Sequence, residues 1–354
     1  MIKVTETFLP DINIYNTYIK GIWERNHLTN HGPLVLELEA KLSAHLGVKH
    51  LFLVNNGTIA IQIALKALQA TGEVITTPFS YVATTSSILW EGMKPVFADI
   101  TEDSLCIDPS KIEMLAKKGL KTVLATHVYG NPCDVEEIDR IAKKYQLKVI
   151  YDAAHAFDVN YKGTSILNYG DISTLSFHAT KLFHTIEGGA IVTNDDDLAH
   201  KIAYMRNFGH NGQEQFWGIG INGKVSEFNA AMGLSVLPHV PAIIEARKNI
   251  CLLYGELLKN SDITILTIRE NTDYNYAYFP VLFKTEEELL LAVSKLNAKD
   301  VFPRRYFYPA LNTLHFIDYQ SCPVAENIAK RILCLPLYFS LKEAEVKMIC
   351  GTIL

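Results

Sequence analysis

Residues 121–157, KTVLATHVYGNPCDVEEIDRIAKKYQLKVIYDAAHAF, decide the fold class. KTVLATHVYG and KVIYDAA are short apolar runs that end in polar or glycine residues, a pattern typical of strands buried in a parallel sheet. CDVEEIDRIAKKYQL, between them, has helical periodicity, with Asp134 placed to cap its first turn and Glu137 three residues on. Strand, helix and strand in this order predict a βαβ unit.

The same alternation extends in both directions, from about residue 50 to residue 205. HLFLVNN, GEVITTPFS and KPVFADI are further predicted strands, GTIAIQIALKALQA is a predicted helix, and an apparent strand runs from Gly188 to Thr193. The pattern predicts an α/β doubly wound sheet that binds ligands at the carboxyl ends of its strands. We therefore expect four strand-end segments to share one rim: Asn55 to Thr58, Pro78 to Tyr81, His127 to Gly130 and Asp152 to His155.

The pattern changes after about residue 235. VPAIIEARKNICLLYGELLKN predicts a long helix, YNYAYFPVLFK a strand, and EEELLLAVSKLNAKD another helix. This arrangement predicts a smaller α+β C-terminal domain over residues 236–354, after a large α/β domain over residues 31–235. We expect residues 1–30 to form an N-terminal segment that packs on the core.

Composition argues against several classes of function. The formal net charge of −5 over 354 residues gives no basic excess that would favour nucleic acid. No apolar run is long enough to span a bilayer, and the first residues, MIKVTETFLP, lack the layout of a signal peptide. The six cysteines lack CxxC or CxxH spacing, which favours reduced thiols over a zinc site. The sequence therefore predicts a cytoplasmic protein that binds no nucleic acid, membrane or metal ion.

Gly57 and Thr58 lie between a predicted strand and the start of a predicted helix. Free backbone N–H groups and the helix dipole at such a position favour a phosphate, and the threonine hydroxyl can add a hydrogen bond. An ordinary helix cap with a turn glycine is the alternative. The sequence contains neither GxxxxGK[ST] nor GxGxxG, which argues against a P-loop and against a nicotinamide dehydrogenase.

One lysine, Lys181, stands among small, apolar and histidine residues in SFHATKLFHTIEGGAIVTND, residues 176–195. An enclosed site lowers the pKa of a lysine amine toward the neutral, nucleophilic form. Asp152 ends an apolar strand, where a carboxylate can pair with a protonated ring nitrogen. A structural lysine and a turn-capping aspartate are the alternatives for each residue alone. Together they match a pyridoxal phosphate site, in which a lysine forms a Schiff base and an aspartate holds the pyridinium.

Eight sequence blocks, in order, closely resemble the nucleotide-sugar aminotransferases of the DegT/DnrJ/EryC1/StrS family. They are NNGTIAIQIAL, TPFSYVAT, HVYGNPCDVEEID, IYDAAHAF, SFHATKLFHTIEGGAIVTND, MRNFGHNG, GINGKVSEFNAAMGL and RRYFYPAL. The resemblance runs from about Leu28 to the C-terminus. It implies the fold type I of PLP-dependent transferases, with a large, mostly parallel sheet domain flanked by helices and a smaller α+β domain. It also implies pyridoxal 5'-phosphate as cofactor, with pyridoxamine 5'-phosphate as an intermediate.

The resemblance also implies roles for single residues. Lys181 matches the Schiff-base lysine, which shuttles a proton between carbon centres, and Asp152 matches the partner of the pyridine nitrogen. His155 matches a residue near the ring's phenolic oxygen, and Tyr81 matches the aromatic stacked on the ring. The positions that match phosphate-holding residues are Gly57, Thr58 and Ser176. Asn222 matches a residue that the neighbouring subunit contributes to the phosphate site, which implies a homodimer with shared active sites.

The substrate is the least determined part of the resemblance. Some relatives have histidine in place of the lysine and act as sugar dehydratases, so Lys181 favours a transaminase. IWERNHLTNHGPLVLELE, near the N-terminus, most resembles the subgroup that aminates C4 of dTDP-4-keto-6-deoxyglucose for surface polysaccharide such as O-antigen, with L-glutamate as the expected donor. Amination of C3 and a non-catalytic regulator remain alternatives. Candidate residues around the substrate are His178, His184, Arg206, Arg304 and Arg305.

Overall fold

Seven strands form the central sheet of the computed structural model, which describes all residues from 1 to 354. They are β1 (His50–Val54), β2 (Glu73–Thr76), β3 (Lys94–Phe97), β4 (Thr122–Thr126), β5 (Lys148–Asp152), β6 (Ile172–Ser176) and β7 (Gly189–Thr193). Their spatial order is β1-β7-β6-β5-β4-β2-β3. The pairs from β6 to β3 are parallel, and only β7 runs antiparallel to its neighbours. The predicted fold class, α/β with a large and mostly parallel sheet, is confirmed.

Helices cover both faces of this sheet and also form part of the C-terminal region. They are α1 (Ile12–Arg25), α2 (Pro33–Leu46), α3 (Gly57–Ala67), α4 (Val82–Trp90), α5 (Pro109–Ala116), α6 (Val135–Tyr145), α7 (Asp196–Met205), α8 (Glu227–Val236), α9 (Val240–Leu258), α10 (Glu286–Asn297), α11 (Pro323–Arg331) and α12 (Glu343–Ile353). Asp134 caps α6 as predicted, because its side chain accepts a hydrogen bond from the backbone N–H of Glu137. None of the helices is long and apolar enough to cross a membrane.

Alternating side chains along the strands explain why both faces of the sheet are covered. Val123 and Val149 pack into a hydrophobic cluster that includes residues of α5 and α6. Their chain neighbours Leu124 and Ile150 pack into a second cluster, which includes residues of α3. Successive side chains of a strand point to opposite faces, so continuous apolar strands require helices on both sides. With both faces covered by helices, the strand ends are the part of the sheet that remains open to a ligand.

The C-terminal part has an antiparallel sheet of its own. Its strands are β8 (Thr264–Ile265), β9 (Phe279–Leu282) and β10 (Ile332–Leu335), in the order β8-β9-β10. These strands share a separate hydrophobic cluster with α9, α10 and α12. The predicted long helix and the helix after it are present as α9 and α10. The division of the chain at residues 30 and 235 stays a prediction.

The predicted strand YNYAYFPVLFK is shorter in the structure, where β9 begins at Phe279. The residues before it are held by side-chain contacts to the loop after β5. The Asn275 amide donates hydrogen bonds to the carbonyls of His155 at 2.9 Å and Phe157 at 2.8 Å. Nearby, the short strand Thr272–Asp273 pairs with Asn160–Tyr161, which in turn pairs with Thr164–Ser165.

The N-terminal residues also reach the C-terminal part of the chain. The short strand Ile2–Lys3 pairs in parallel with Val301–Phe302. Further along, α1 packs against α8. The first thirty residues therefore contact elements from both the central sheet region and the C-terminal region.

Candidate active site

A pocket of about 390 Å³ opens at the carboxyl ends of the central strands. Three of the four expected rim segments contribute to it, through residues that follow β1, β2 and β5. The remaining segment, His127 to Gly130, does not line the pocket. Instead His127 is fully buried, and its Nδ1 atom accepts a hydrogen bond from the backbone N–H of Cys133 at 3.0 Å. The predicted rim is therefore present, with β4 represented by Thr126.

The pocket brings most of the predicted site residues together. Those that line it are Gly57, Thr58, Tyr81, Asp152, His155, Ser176, His178, Lys181 and Arg304. A larger open groove of about 670 Å³ lies on the C-terminal part, between α9 and α10, and contains none of the predicted residues. No group of three or more His, Cys, Asp or Glu side chains is placed to hold a metal ion. The chemistry predicted from the sequence thus falls in the strand-end pocket.

Lys181 lies in the loop that joins β6 to β7, and its amine points into the pocket. The Nζ atom donates a hydrogen bond to the Tyr278 hydroxyl at 3.3 Å. Burial lowers the pKa of Lys181, although the charge of Asp152 acts in the opposite direction. No carboxylate lies within salt-bridge distance of the amine. An amine in this environment is closer to its neutral, nucleophilic form than a surface lysine is.

Asp152 is the last residue of β5 and is only 6% exposed. Its Oδ2 atom accepts a hydrogen bond from the Thr84 hydroxyl at 2.8 Å, and its Oδ1 atom accepts one from the backbone N–H of Ala154 at 3.1 Å. Burial raises the pKa of Asp152, and these two hydrogen bonds and the charge of Lys181 oppose that rise. The carboxylate therefore has hydrogen-bond support but no cation in contact. Such a group suits the protonated nitrogen of a ring.

His155 follows Asp152 in the next turn and is buried. Its Nδ1 atom accepts a hydrogen bond from the backbone N–H of Tyr129 at 3.2 Å, so the neutral ring carries its proton on Nε2. Burial, and secondarily the charge of Lys181, lowers the pKa of His155 well below its usual range. This histidine is therefore a neutral hydrogen-bond donor in the pocket wall.

The opposite end of the pocket is the start of α3. Asn56 caps this helix by accepting a hydrogen bond from the backbone N–H of Ile59 at 2.8 Å. The N–H groups of Gly57 and Thr58 donate to no acceptor within the chain. A Cβ atom on Gly57 would lie 3.0 Å from the Cβ atom of Ser176, so glycine lets the end of β6 lie against the helix start. Free N–H groups, two hydroxyls and the helix dipole form a cradle for a phosphate.

This donor set fits a phosphorylated pyridine aldehyde. The cradle at α3 suits its phosphate, the carboxylate of Asp152 suits its ring nitrogen, and the amine of Lys181 suits its aldehyde carbon. All three groups line one pocket. These groups can bind a ligand because the N–H groups at α3 have no acceptor inside the chain, and neither Asp152 nor Lys181 forms an ion pair.

The structure does not bring Arg206 or His184 to the pocket. Arg206 is 4% exposed, forms an ion pair with Glu39, and donates a hydrogen bond to the carbonyl of Leu53 at 2.9 Å. The Nε2 atom of His184 donates to the carbonyl of Phe8 at 2.7 Å, and its Nδ1 atom accepts from Ile186 at 3.3 Å. Both side chains are buried and satisfied within the chain, which does not favour a substrate role for either.

Arg304 and its neighbour Arg305 differ in their partners. Arg304 is exposed at the pocket and forms no ion pair; its guanidinium carbon lies 5.9 Å from the centre of the Tyr306 ring. Arg305, in contrast, donates hydrogen bonds to Glu286 at 2.6 Å and to the carbonyl of Lys330 at 3.0 Å. Arg304 is therefore the one of the pair that is free to bind an anion.

Asn222 and His178 lie at the outside of the site. Asn222 is exposed, pairs with Asn207 in an isolated bridge, and does not line the pocket of its own subunit. His178 lines the pocket mouth, where its Nε2 atom is 3.5 Å from Glu187. The backbone carbonyl of Asn222 accepts a hydrogen bond from the Asn55 side chain at 3.4 Å, just before the start of α3.

Several pocket residues were not anticipated from the sequence. Tyr278, Tyr306 and Phe307 form a wall from the C-terminal part, and Glu187 lies at the mouth. Tyr278 was within a predicted strand, but nothing in that pattern indicates that its hydroxyl meets Lys181. Thr84 lies in the TPFSYVAT block, so the family resemblance marked its neighbourhood without indicating its contact with Asp152.

Comparisons with known proteins agree with this geometry. A dTDP-4-amino-4,6-dideoxy-D-glucose transaminase from Shigella dysenteriae is 42% identical over 99% of this chain and 98% of its own length. The transaminase of the same name from Escherichia coli is 42% identical over 100% of this chain and 98% of its own. The crystal structure of DesI in the presence of its TDP-sugar product superposes with a TM-score of 0.94, at 30% identity, over 99% of this chain and 92% of that one.

The model of one family matches almost the whole chain. Residues 13–354 match the DegT/DnrJ/EryC1/StrS aminotransferase family. The match includes the elements that build the pocket, from the cradle at α3 to the C-terminal wall. The chain is an enzyme and belongs to the DegT/DnrJ/EryC1/StrS aminotransferase family.

Proposed function

We propose that this protein transfers an amino group from L-glutamate to dTDP-4-keto-6-deoxy-D-glucose, giving dTDP-4-amino-4,6-dideoxy-D-glucose, with pyridoxal 5'-phosphate as cofactor. The choice of sugar is supported by the names of the two relatives that are 42% identical over nearly the whole chain. The observation that carries the reaction class is the pocket in which Lys181 and Asp152 lie opposite a phosphate cradle. A cytoplasmic location and a role in surface polysaccharide synthesis remain predictions.

The pocket residues divide the task of holding the cofactor. The N–H groups of Gly57 and Thr58 and the hydroxyl of Ser176 would bind the phosphate, and Asp152 would pair with the ring nitrogen. Tyr81 and His155 would contact the ring from the pocket wall. When bound, pyridoxal phosphate would supply a ring that accepts electrons and an aldehyde carbon that takes the amino group from the donor and passes it to the acceptor. The chain holds this group and handles the protons.

Lys181 is the base that moves those protons. Because burial lowers its pKa, the amine would take the proton from the α carbon of L-glutamate. The amino group would pass to the cofactor, and water would release the carbon skeleton as 2-oxoglutarate. In the second half-reaction the same amine delivers a proton to the sugar carbon that receives the amino group. One base serves both halves, since the second half is the first run in reverse. The Tyr278 hydroxyl accepts a hydrogen bond from this amine and limits its motion.

We also propose that the active form is a homodimer in which Asn222 reaches the phosphate cradle of the partner subunit. Asn222 is exposed and does not line its own pocket. The segment before it carries exposed apolar side chains: Phe208, Phe216, Trp217, Ile219 and Ile221. Ile219 is 88% exposed, so a second copy that covers this segment would remove much apolar surface from water.

Visible absorption tests the proposed reaction. The protein is mixed with pyridoxal phosphate, then with L-glutamate, and then with dTDP-4-keto-6-deoxyglucose. We expect a yellow protein that glutamate bleaches and the keto-sugar restores, and NMR of the product fixes the aminated carbon. A colour that glutamate bleaches and this sugar fails to restore would contradict the substrate. A product aminated at C3 would do the same and would favour the alternative reaction.

Subunit mixing tests the shared site. Lys181→Ala and Asn222→Ala are each expected to lower activity, and a mixed dimer contains one site that carries neither change. Refolding the two variants together should therefore recover activity above that of either alone. Recovery that is absent, in a preparation that sedimentation shows to be dimeric, would contradict the contribution from the partner.

A further inference from the structure

A chain of three hydroxyl groups leads to the carboxylate of Asp152. The Thr126 hydroxyl donates to Ser80 Oγ at 3.1 Å, Ser80 Oγ and Thr84 Oγ1 are 2.8 Å apart, and Thr84 donates to Asp152 Oδ2 at 2.8 Å. None of the three is more than 2% exposed. They come from the end of β4, the loop after β2, and α4. The register of the sheet places Thr126 directly beside Asp152.

The charge on Asp152 fixes the direction of this chain. An ionised carboxylate has no proton, so Thr84 must donate to it. Each hydroxyl has only one proton, so Thr84 must accept from Ser80, and Ser80 must accept from Thr126. All three hydroxyl dipoles then point toward the carboxylate, and hydrogen bonds arranged head to tail strengthen one another. If Asp152 were protonated, Thr84 would no longer have to donate to it, and the three hydroxyls could point in either direction.

We propose that Thr84 is a positioning residue whose hydroxyl, oriented by Ser80 and Thr126, keeps Asp152 ionised and turned toward the ring nitrogen of the cofactor. The proposal rests on the proposed function, because it requires that ring. Thr84 itself does not line the pocket, so it acts only through Asp152.

The surroundings of Asp152 explain why such support is needed. Burial of the carboxylate favours its neutral form, and Lys181 is the one charged group that opposes this from across the pocket. His155, another titratable group of the pocket wall, is held neutral by burial. The remaining support is the Ala154 N–H and the hydroxyl of Thr84. Thr84 therefore supplies the one side-chain hydrogen bond to this carboxylate, and a hydrogen bond to a charged group is stronger than one between neutral groups.

The chain offers a matched control for this role. Thr85 is the next residue of α4, is also fully buried, and its hydroxyl has no hydrogen-bond partner. Thr84→Val and Thr85→Val therefore make the same chemical change at the same burial. Thr84→Ser keeps the hydroxyl and loses only a methyl group. Thr126→Val removes the far end of the hydroxyl chain.

The experiment uses the full protein with pyridoxal phosphate labelled with ¹⁵N at the ring nitrogen. Cofactor affinity is titrated, and the ¹⁵N chemical shift is followed against pH. In the wild type we expect the shift of a protonated nitrogen. Thr84→Val should weaken affinity by about ten-fold and move the shift toward that of the neutral ring, because a more basic Asp152 takes the shared proton. Thr126→Val should produce a smaller change in the same direction.

The control variants decide between positioning and packing. Thr84→Ser should bind the cofactor within about two-fold of the wild-type affinity and show the wild-type ¹⁵N chemical shift. Thr85→Val should leave the dependence of that shift on pH unchanged. A Thr84→Val shift equal to that of the wild type would overturn the inference and leave the proposed function standing. Equal effects of Thr84→Val and Thr85→Val would overturn it too. A wild-type protein that binds no pyridoxal phosphate would overturn both.

Discussion

Two regions of this molecule bury charge and deal with it in opposite ways. Around Arg206, the guanidinium has an ion pair with Glu39 and a hydrogen bond to the Leu53 carbonyl, both within the chain. In the strand-end pocket, Asp152 has no cation in contact and Lys181 has only a hydroxyl. The charged groups of the first region find their partners within the free protein, whereas those of the second can still bind the charged and polar groups of a ligand.

The difference separates structural charge from chemical charge. A buried ion pair that is satisfied internally holds elements together, and loss of one partner leaves an uncompensated charge. A buried charge without its partner costs stability in the free protein, and its altered pKa suits it to catalysis. Residue type alone cannot distinguish the two cases. The distribution of partners can, and it predicts opposite effects of substitution.

The largest effect is expected at Lys181. Lys181→Ala removes the base from the pocket and should lower turnover by about four orders of magnitude or more. The melting temperature should not fall, because the amine has no ion pair in the free protein. Transamination rates and thermal melting measure the two expectations, with the exposed Lys66→Ala as control. Turnover within ten-fold of the wild type would contradict the assignment of Lys181 as the base.

The satisfied region should respond in the reverse sense. Glu39→Gln leaves the guanidinium of Arg206 buried without its carboxylate and should cost about 3 kcal/mol in the free energy of unfolding. Glu37→Gln, on the same helix, removes only an exposed pair with Lys41 and should cost no more than about 0.5 kcal/mol. Urea unfolding measures both. Equal costs for the two variants would contradict the stabilising role assigned to the buried pair of Glu39 and Arg206.

A smaller effect is expected at Arg304. Arg304→Ala should raise the KM for the nucleotide sugar by about ten-fold without changing the melting temperature, because its guanidinium has no ion pair to lose. Arg305→Ala should instead lower stability by about 1 kcal/mol and leave the KM unchanged, since it breaks the contact with Glu286. Kinetics and melting curves of the two variants give the comparison. An unchanged KM in Arg304→Ala would place the anion site elsewhere.

The smallest effect concerns pH. Burial alone would raise the pKa of Glu39, but its hydrogen bond to His31 and its interaction with Arg206 outweigh burial and lower it. A lowered pKa in the folded state adds stability above the unfolded value, and that stability is lost as the pH falls through the folded value. The difference between wild type and Glu39→Gln should therefore shrink below about pH 4. A difference that is constant down to pH 3 would contradict this assignment.

The sequence predicted the sheet and the core of the site for the same reason. Parallel strands bring their ends to one rim, so Asp152 and the start of α3 could be placed without coordinates. Lys181 was identified by its small, apolar and histidine neighbours in the sequence, and the resemblance agreed with that choice. Arg206 could not be placed, because its partner Glu39 is 167 residues away and gives no local signal. The contact between Lys181 and Tyr278 likewise joins residues 97 positions apart. Long-range side-chain pairing is what sequence periodicity leaves out.

Asn275 has a consequence for exchanging parts between relatives. Its amide is bonded to two carbonyls of the loop that follows Asp152, so it joins the C-terminal wall of the pocket to the strand that carries the carboxylate. A chimera that receives the C-terminal part of another aminotransferase would also receive a different version of this joint. Transfer of substrate preference by recombination therefore depends on a residue that does not line the pocket. Crossovers placed after Asn275 would keep the joint intact while still replacing Arg304, Tyr306 and Phe307.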